Sequence, residues 1–478
     1  MDGSDHKAAQ ATTRRTFIAG SVAAAGLAAI PGGASAATRK IAASDKVNVA
    51  VIGAGGMGAS NMSKLTSQNI VAMADVDLEH VAQSFRPGSD GVVSPERIAL
   101  KAAYDKAAKF ADYRRMLDRR KDIDAVLIAT PDHHHALAAK AAMERGLHVY
   151  VQKPLTYSVR EGRMLLDLAR KNPKLVTQMG NQGHSGDDGR RVVELVRGGL
   201  LGAVREVHVW TNRPVWPQGD ARPAAVPAPP SLDWDLWVGP ANVDWGYHPD
   251  YGHFNWRGWA PFGVGALGDM GAHLLDFPVW ALETGLPTRI ETRHSRWGGD
   301  TNGWDGKPPE EITSYPLASV THYEFGKAKS GPVHITWYDG GLMPATPLGL
   351  PAGKKMDPGG GVLFVGERGM LMHETYGSNP TLIGEGLDER AAAIPQSLPR
   401  IREGMGGHEM NWIRAIRGEE KISNPFAEAG LLNETMLLGV VALRAEQPIE
   451  YDGVAGRVTN VPEANAFLDR QYRQGWEI

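Results

Sequence analysis

The feature that most constrains this chain lies between residues 47 and 75. A β-branched run, Val47-Asn48-Val49-Ala50-Val51-Ile52, passes directly into Gly53-Ala54-Gly55-Gly56-Met57-Gly58. A helical stretch over 59–66 follows, then a second apolar strand over 70–74 that ends on Asp75. Strand, glycine turn, helix, strand and acid form a βαβ unit whose parts each serve dinucleotide binding. Gly53 permits the tight turn, Gly55 lets a pyrophosphate approach the backbone, and Gly58 lets the helix pack on the strand. Gly56 and Met57 complete the loop, and the helix N-terminus behind it presents unpaired N–H groups that favour an anion. Asp75 stands 22 residues after Gly53, where a carboxylate accepts hydrogen bonds from the adenosine ribose and repels a 2′-phosphate. No Arg follows Asp75 within the next several residues. NAD is expected, and NADP is disfavoured.

The alternation continues. Ile123-Asp124-Ala125-Val126-Leu127-Ile128-Ala129 reads as a buried strand, Thr130-Pro131-Asp132-His133-His134-His135 as its exit loop, and 136–145 as a helix before the strand His148-Val149-Tyr150-Val151. Loops at the carboxyl ends of parallel strands build the ligand crevice. Three consecutive histidines at a helix start point in different directions and do not readily share one ion, so no metal site is expected. Two readings stay open. Asp132 caps the helix beside solvated histidines, or Thr130 and Pro131, with His133 and His135, lie against the nicotinamide half of the cofactor.

At 478 residues, a prior of about one domain per 150 residues allows two or three domains. The absence of cysteine excludes a disulfide scaffold, Cys-ligated zinc, iron–sulfur clusters and thiol catalysis. A net charge of −3 argues against a nucleic-acid binder, which needs excess Lys and Arg. The N-terminus carries Thr13-Arg14-Arg15-Thr16-Phe17-Ile18, an Ala/Gly-rich apolar stretch over 17–30 and then Ala34-Ser35-Ala36. This is the pattern of a twin-arginine signal peptide over 1–36, too short and weakly apolar to span a bilayer. No later apolar run is long enough for a membrane span. The expected protein is periplasmic or otherwise exported. A linker over 37–45, a nucleotide domain over 46–170 and a second domain over 171–478 complete the division, with a helix near 408–420 packing back on the first domain.

From Gln152-Lys153-Pro154 onward the chain resembles the Gfo/Idh/MocA oxidoreductases, whose motif there is Glu-Lys-Pro. Their later Asp and His, four residues apart on a helix, match Gly265-Ala266-Leu267-Gly268-Asp269-Met270-Gly271-Ala272-His273. The resemblance implies an α/β Rossmann domain followed by an α+β domain with a large open, mostly antiparallel sheet. It places Lys153 beside the nicotinamide and implies a homo-oligomer packed through the open sheet. The residue types suit the chemistry on their own terms. Oxidising a secondary alcohol removes a hydride from carbon and a proton from oxygen. His273 can take that proton, Asp269 on the same helix face can orient the imidazole or contact a sugar, and Lys153 can donate to the substrate oxygen. One departure stands out. Gln152 replaces the usual Glu, removing a carboxylate that would favour and orient the Lys153 ammonium.

All 13 tryptophans lie beyond residue 200. Aromatic rings stack on the C–H faces of sugars, and Asn255-Trp256-Arg257-Gly258-Trp259 just precedes the catalytic helix. Trp256, Arg257 and Trp259, with His184, Asp269 and His273, are the expected substrate contacts. Asn181 and Gln182, at the end of another strand, are expected at the nicotinamide. Pro/Gly-rich stretches over 217–230 and 340–361 read as loops. Three functions fit these features: an oxidoreductase acting on a sugar, glycoside or polyol, a redox-neutral NAD-dependent glycoside-cleaving enzyme, and a sugar-binding relative without the reaction. Lys153, Asp269 and His273 together argue against the third. Export requires a cofactor that either stays bound and is recycled by a second substrate or is regenerated within one catalytic cycle, because no soluble NAD pool is maintained outside the cytoplasm.

Overall fold

The computed structural model describes residues 41–42, 45–87, 91–297, 312–329 and 331–478; the expected signal peptide lies outside them. Its first layer is a six-stranded parallel sheet of β1 (Asn48–Ile52), β2 (Asn69–Ala74), β3 (Ala108–Phe110), β4 (Ala125–Ile128), β5 (His148–Val151) and β6 (Thr177–Met179). The order is β3-β2-β1-β4-β5-β6, the doubly wound arrangement whose strand order reverses beside β1 and leaves a crevice there. β4 and β5 are buried at every position, as strands covered by helices on both faces must be. The sixth strand comes from beyond residue 170.

The second sheet is mixed and mostly antiparallel. Its strands are β7 (Val204–Thr211), β8 (Arg289–His294), β9 (Ser319–Phe325), β10 (Val333–Tyr338), β11 (Gly360–Gly366), β12 (Gly369–Glu374), β13 (Thr381–Ile383), β14 (Ile449–Asp452) and β15 (Arg457–Val458). They run in the order β13-β12-β11-β7-β10-β9-β8-β14-β15, and β7 and β10 pair in parallel. Alternating burial along β9, with Ser319, Thr321, Tyr323 and Phe325 inward, shows one face on the core and the other outward.

Two helices tie the layers together. The helix Phe426–Ala445 is apolar and long enough to cross a membrane by composition, yet 83% of its apolar window is buried inside the protein. It packs on the helices Val159–Lys171 and Gly265–Leu274 and on β8. Its Asn433 accepts from Thr156 N at 3.2 Å and donates to Thr156 Oγ1 at 2.9 Å, and its Glu434 pairs with Arg163 at 2.5 Å. The helix Val159–Lys171 starts with a reciprocal cap between Ser158 and Glu161, which satisfies two otherwise orphaned N–H groups. The helix His408–Ile416 lies on the first domain, burying Trp412 and Ile413 among Val49, Val51 and Met73. One apolar core runs continuously from the first sheet into the second. The residues that face each other across the crevice are therefore held by shared packing.

Candidate active site

The glycine loop forms as its sequence requires. Gly53 has φ +77°, and a Cβ there would sit 2.7 Å from Ala129 O, while a Cβ on Gly58 would meet Gly53 O at 1.8 Å. Only glycine fits either position. Asp75 Oδ2 accepts from Ala54 N at 2.7 Å and Gly55 N at 3.1 Å, and Oδ1 accepts from Asp77 N at 2.9 Å. Burial raises the Asp75 pKa against the pull of these three N–H groups. The carboxylate thus braces the loop from below as well as lining the groove at the expected ribose position.

The groove of about 310 Å³ takes Gly53, Gly55, Gly56, Met57, Asp75, Thr130, Pro131, Gln152 and Lys153 from the first domain. Its other wall comes from the second: Leu236, Trp237, His253, Phe254, Trp256 and Arg257, with Trp476 near the chain end. His253 stacks on His80 at 3.6 Å, 7° from parallel, and its Nε2 reaches Asp77 at 3.3 Å. Arg114 lies 3.9 Å over the Trp476 ring. Thr130 Oγ1 is buried without a partner at the groove wall, a hydroxyl available to a bound group. Glycine loop, braced acid and open hydroxyl together fit a dinucleotide, with Gly53, Gly55, Gly56 and Asp75 holding its adenosine and pyrophosphate portions.

At the far end of the groove, charges from both domains converge. Lys153 Nζ donates to Asp269 Oδ1 at 2.5 Å and to Asp269 O at 3.1 Å. Arg257 Nε donates to the same Oδ1 at 3.1 Å while its guanidinium stacks 4.2 Å from Trp256. Burial opposes the charge on Asp269, but Lys153 and Arg257 outweigh it and hold the carboxyl well below the usual range. Asp269 therefore orients the two cations, not the imidazole of His273. The four-residue spacing does put both residues on one helix face, but a carboxylate between two cations is taken up by them. The same ion pair orients Lys153 where Gln152 carries no charge. Gln152 turns away and donates to Asn61 Oδ1 at 2.8 Å, and Asn61 in turn donates to Glu409 at 2.6 Å.

His273 is buried, and its Nδ1 has no partner. Burial, reinforced by Lys153, pushes its pKa well below 6.5, so the ring is neutral at pH 7. It meets the edge of Tyr376 at 4.8 Å. Tyr376 holds a left-handed backbone at φ 67°, a conformation that costs energy without Gly and persists only where the surroundings over-determine it. No pattern in the sequence marks Tyr376, because the turn after β12 meets the helix Gly265–Leu274 only in the folded molecule. Asp132 was also unmarked as chemistry. The helix begins at Asp132, earlier than residue 136, with Pro131 as N-cap, so Asp132 is not the cap. Its Oδ2 instead accepts from Val264 N at 3.2 Å, and its Oδ1 is buried without a partner. Burial lifts its pKa to about 7 against the pull of Arg257 and Lys153.

Several sequence expectations move. His133 and His135 do not line the groove; their rings point at main-chain carbonyls. His133 faces Phe262 O and Trp237 O, and His135 faces Pro154 O at 2.7 Å and Thr130 O at 2.9 Å. Of the three consecutive histidines, His134 is the one at the groove wall, because successive residues in the first helical turn are rotated by about 100°. Trp259 is fully buried in an aromatic cluster with Trp237, Trp245 and Phe262, its Nε1 bonded to Asp250 O; only Trp256 and Arg257 of the trio reach the groove. Asn181 is buried between Asp276 at 3.0 Å and Asn424, and Gln182 lies beside it outside the groove lining. His184 sits on the wall of a second cavity. These three follow β6 but lie outside the groove lining, with Asn181 and His184 both bonded to the buried Asp276 carboxylate.

Fold and site together define a dinucleotide-dependent oxidoreductase architecture. Residues 47–179 match the oxidoreductase family with an NAD-binding Rossmann fold, and residues 187–294 match its C-terminal alpha/beta domain. The chain carries both domains of the Gfo/Idh/MocA oxidoreductase family. It is 32% identical over 165 residues to a glycosyl hydrolase family 109 protein of Saccharopolyspora erythraea, covering 34% of each chain. It is 33% identical over 131 residues to an alpha-N-acetylgalactosaminidase of Shewanella oneidensis, covering 27% of this chain and 25% of that one. The chain thus spans about a third or less of the length of these curated relatives. Among solved structures, the WlbA dehydrogenase of Bordetella pertussis, in complex with NADH and UDP-GlcNAcA, superposes with a TM-score of 0.54 at 15% identity. That match covers 85% of this chain and 99% of that one.

Proposed function

We propose that the protein is an exported oxidoreductase that moves a hydride between a tightly held NAD and a hydroxyl of a sugar, glycoside or polyol. One observation carries the reading: Lys153 and Arg257 converge on Asp269 at the end of the dinucleotide groove, with the neutral His273 one helical turn on. Bound NAD would supply the hydride acceptor. Lys153 Nζ, held by Asp269, is placed to donate to the substrate oxygen and stabilise its developing negative charge. The neutral imidazole of His273 can take the hydroxyl proton, a transfer that typically contributes 10²–10⁴-fold. Arg257, stacked on the buried Trp256, borders the same end of the groove and can donate to sugar hydroxyls. Oligomerisation through the outward face of the second sheet belongs to the same proposal; light scattering on the purified protein tests it.

Retention of the cofactor is supported by the two-domain groove. A ligand lying there would have His253, Phe254 and Trp237 on one side and the glycine loop on the other, and contact with both domains favours slow release. The expected outcome is that purified mature protein, denatured without prior stripping, releases nicotinamide nucleotide detectable by mass spectrometry. A folded preparation that releases none would remove the retention claim.

A redox-neutral glycoside-cleaving activity is the second reading, favoured by the glycosyl hydrolase names of the curated relatives. Mixing the holoprotein with sugars and aryl glycosides separates the two. Net reduction of bound NAD with the glycosidic bond intact supports the oxidoreductase, and bond cleavage with no net cofactor change supports the alternative.

A further inference from the structure

A second cavity, of about 980 Å³, opens between the helix Asp187–Arg197, the helix Asp276–Leu282 and the segments around residues 398–402 and 420–432. None of its lining residues belongs to the dinucleotide groove. Its chemistry is specific. His184 Nδ1 donates to Asp276 at 3.0 Å, which fixes the ring and leaves Nε2 as the free end. That Nε2 is buried without a hydrogen-bond partner and lies 3.9 Å from Glu428. Arg190, 4% exposed, is anchored through Nη1 to Pro399 O at 2.9 Å and through Nη2 to Ser423 Oγ at 3.0 Å. Its Nε, also buried, has no partner. Both residues gather on Trp280: the His184 ring stacks at 3.8 Å and the Arg190 guanidinium lies 5.5 Å from its centre.

Several of the cavity's cations are held by carboxylates, Arg400 by Glu194 among them. Arg197 faces Glu283 at 3.5 Å, and Arg402 faces Glu420 at 3.5 Å. A lone cation would meet Arg190, and an anion would leave the His184 acceptor unsatisfied beside Glu428. The two unpartnered nitrogens also differ in kind. An arginine Nε only donates, whereas the free nitrogen of an imidazole whose other nitrogen donates is an acceptor. A hydroxyl satisfies both types, and a carboxylate or phosphate satisfies only the first. An aromatic surface beside hydroxyl-matching groups describes a polyhydroxylated neutral ring.

We propose that this cavity is a second saccharide site, separate from the dinucleotide groove, in which Trp280 backs a neutral sugar whose hydroxyls engage His184 Nε2 and Arg190 Nε. It stands on the cavity's own chemistry and does not depend on which reaction the groove performs. The test uses the holoprotein with methyl glucoside, methyl N-acetylgalactosaminide and maltotriose as probes and sodium sulfate as the anion control. Calorimetry should find saturable saccharide binding that weakens about 10-fold or more in Trp280→Leu, a loss of about 1.4 kcal/mol. Hydride transfer at the groove should be unchanged in that variant. Hydrogen exchange on the unaltered protein supplies a second readout, with saccharide protecting residues 276–285 and 420–431. The proposal is overturned if no probe binds at tens of millimolar, if binding survives Trp280→Leu, if protection falls only on residues 251–274, or if sulfate binds in place of the sugars.

Discussion

The two ends of the dinucleotide groove are built on opposite principles. The glycine-loop part of the first-domain wall is local in sequence: a strand, a glycine turn and an acid between residues 47 and 75, presenting backbone N–H groups. The reacting end is assembled at long range from side chains, with Lys153 meeting Asp269 116 residues along the chain and Tyr376 meeting His273 from a comparable separation. A backbone cradle suits a constant ligand, because glycine and N–H geometry leave little to vary. Side chains converging from separate elements suit the reacting end, where charge must be placed, neutralised or kept from water. The difference implies that binding and chemistry can be broken separately.

The largest expected effect falls on the reacting end. Lys153→Met or His273→Asn should slow single-turnover hydride transfer by about 10²–10⁴-fold while leaving NAD binding nearly intact. Rapid-mixing absorbance and calorimetry measure the two quantities independently. If both variants keep wild-type rates on a working substrate, the convergence at Asp269 is not the reacting end, and the contrast between the two ends collapses.

At the glycine-loop end, Asp75→Ser should weaken NAD and improve NADP relative to it, shifting the preference ratio by roughly tenfold, about 1.4 kcal/mol. Asp75 also braces Ala54 N and Gly55 N, so some loss for both nucleotides is expected together with the shift. An unchanged ratio would assign Asp75 to bracing alone.

The smallest effect concerns stability. Asp132 has a folded-state pKa raised from 3.8 to about 7, by burial first, with Asp269 adding to the rise. Between these values the folded state binds more protons than the unfolded one, so this group's contribution falls as pH rises from about 4 to 7 and is flat above. Asp132→Asn keeps an acceptor for Val264 N and removes the ionisation. Its thermal midpoint should gain on the wild type as pH is raised from 5 to 8, by the equivalent of about 1 kcal/mol or more. Parallel curves would show that Asp132 does not titrate in this window.

Legibility followed the same division as the two ends of the groove. The strand–glycine–helix–strand unit was readable because each residue acts on neighbours within one supersecondary unit. β1 starts within a residue of its expected place, and Gly53 and Gly58 have the steric reasons their spacing implies. Lys153, Asp269 and His273 were identified by motif, and the fold does bring them together. Of the two roles expected for Asp269, orienting the imidazole or contacting a sugar, the geometry shows neither directly: its carboxylate holds Lys153 and Arg257, because helix periodicity reports which residues share a face and not which cations approach it from other elements. The misplacements of His133, His135, Asn181 and Trp259 have a physical source in each case. His133, His135 and Asn181 are each claimed by a buried partner from another segment, Phe262 O, Pro154 O and Asp276, while Trp259 is taken up by the aromatic cluster and by Asp250 O nine residues before it.

By itself the sequence determined the nucleotide-binding half: a parallel sheet, a glycine loop with positions that admit only glycine, and an acid at the end of the second strand. These depend on backbone conformation and on contacts within a few tens of residues. Only the tertiary structure decided which face of the Trp-rich segment roofs the groove, that Tyr376 covers His273, that Asp132 is buried against Val264, and that His184 opens onto a different cavity. Those outcomes depend on which distant group satisfies each buried hydrogen-bonding atom. That choice is made when the two sheets pack on a common core, because an unpaired buried donor or acceptor costs about 1–3 kcal/mol and each side chain turns to the partner that removes this cost.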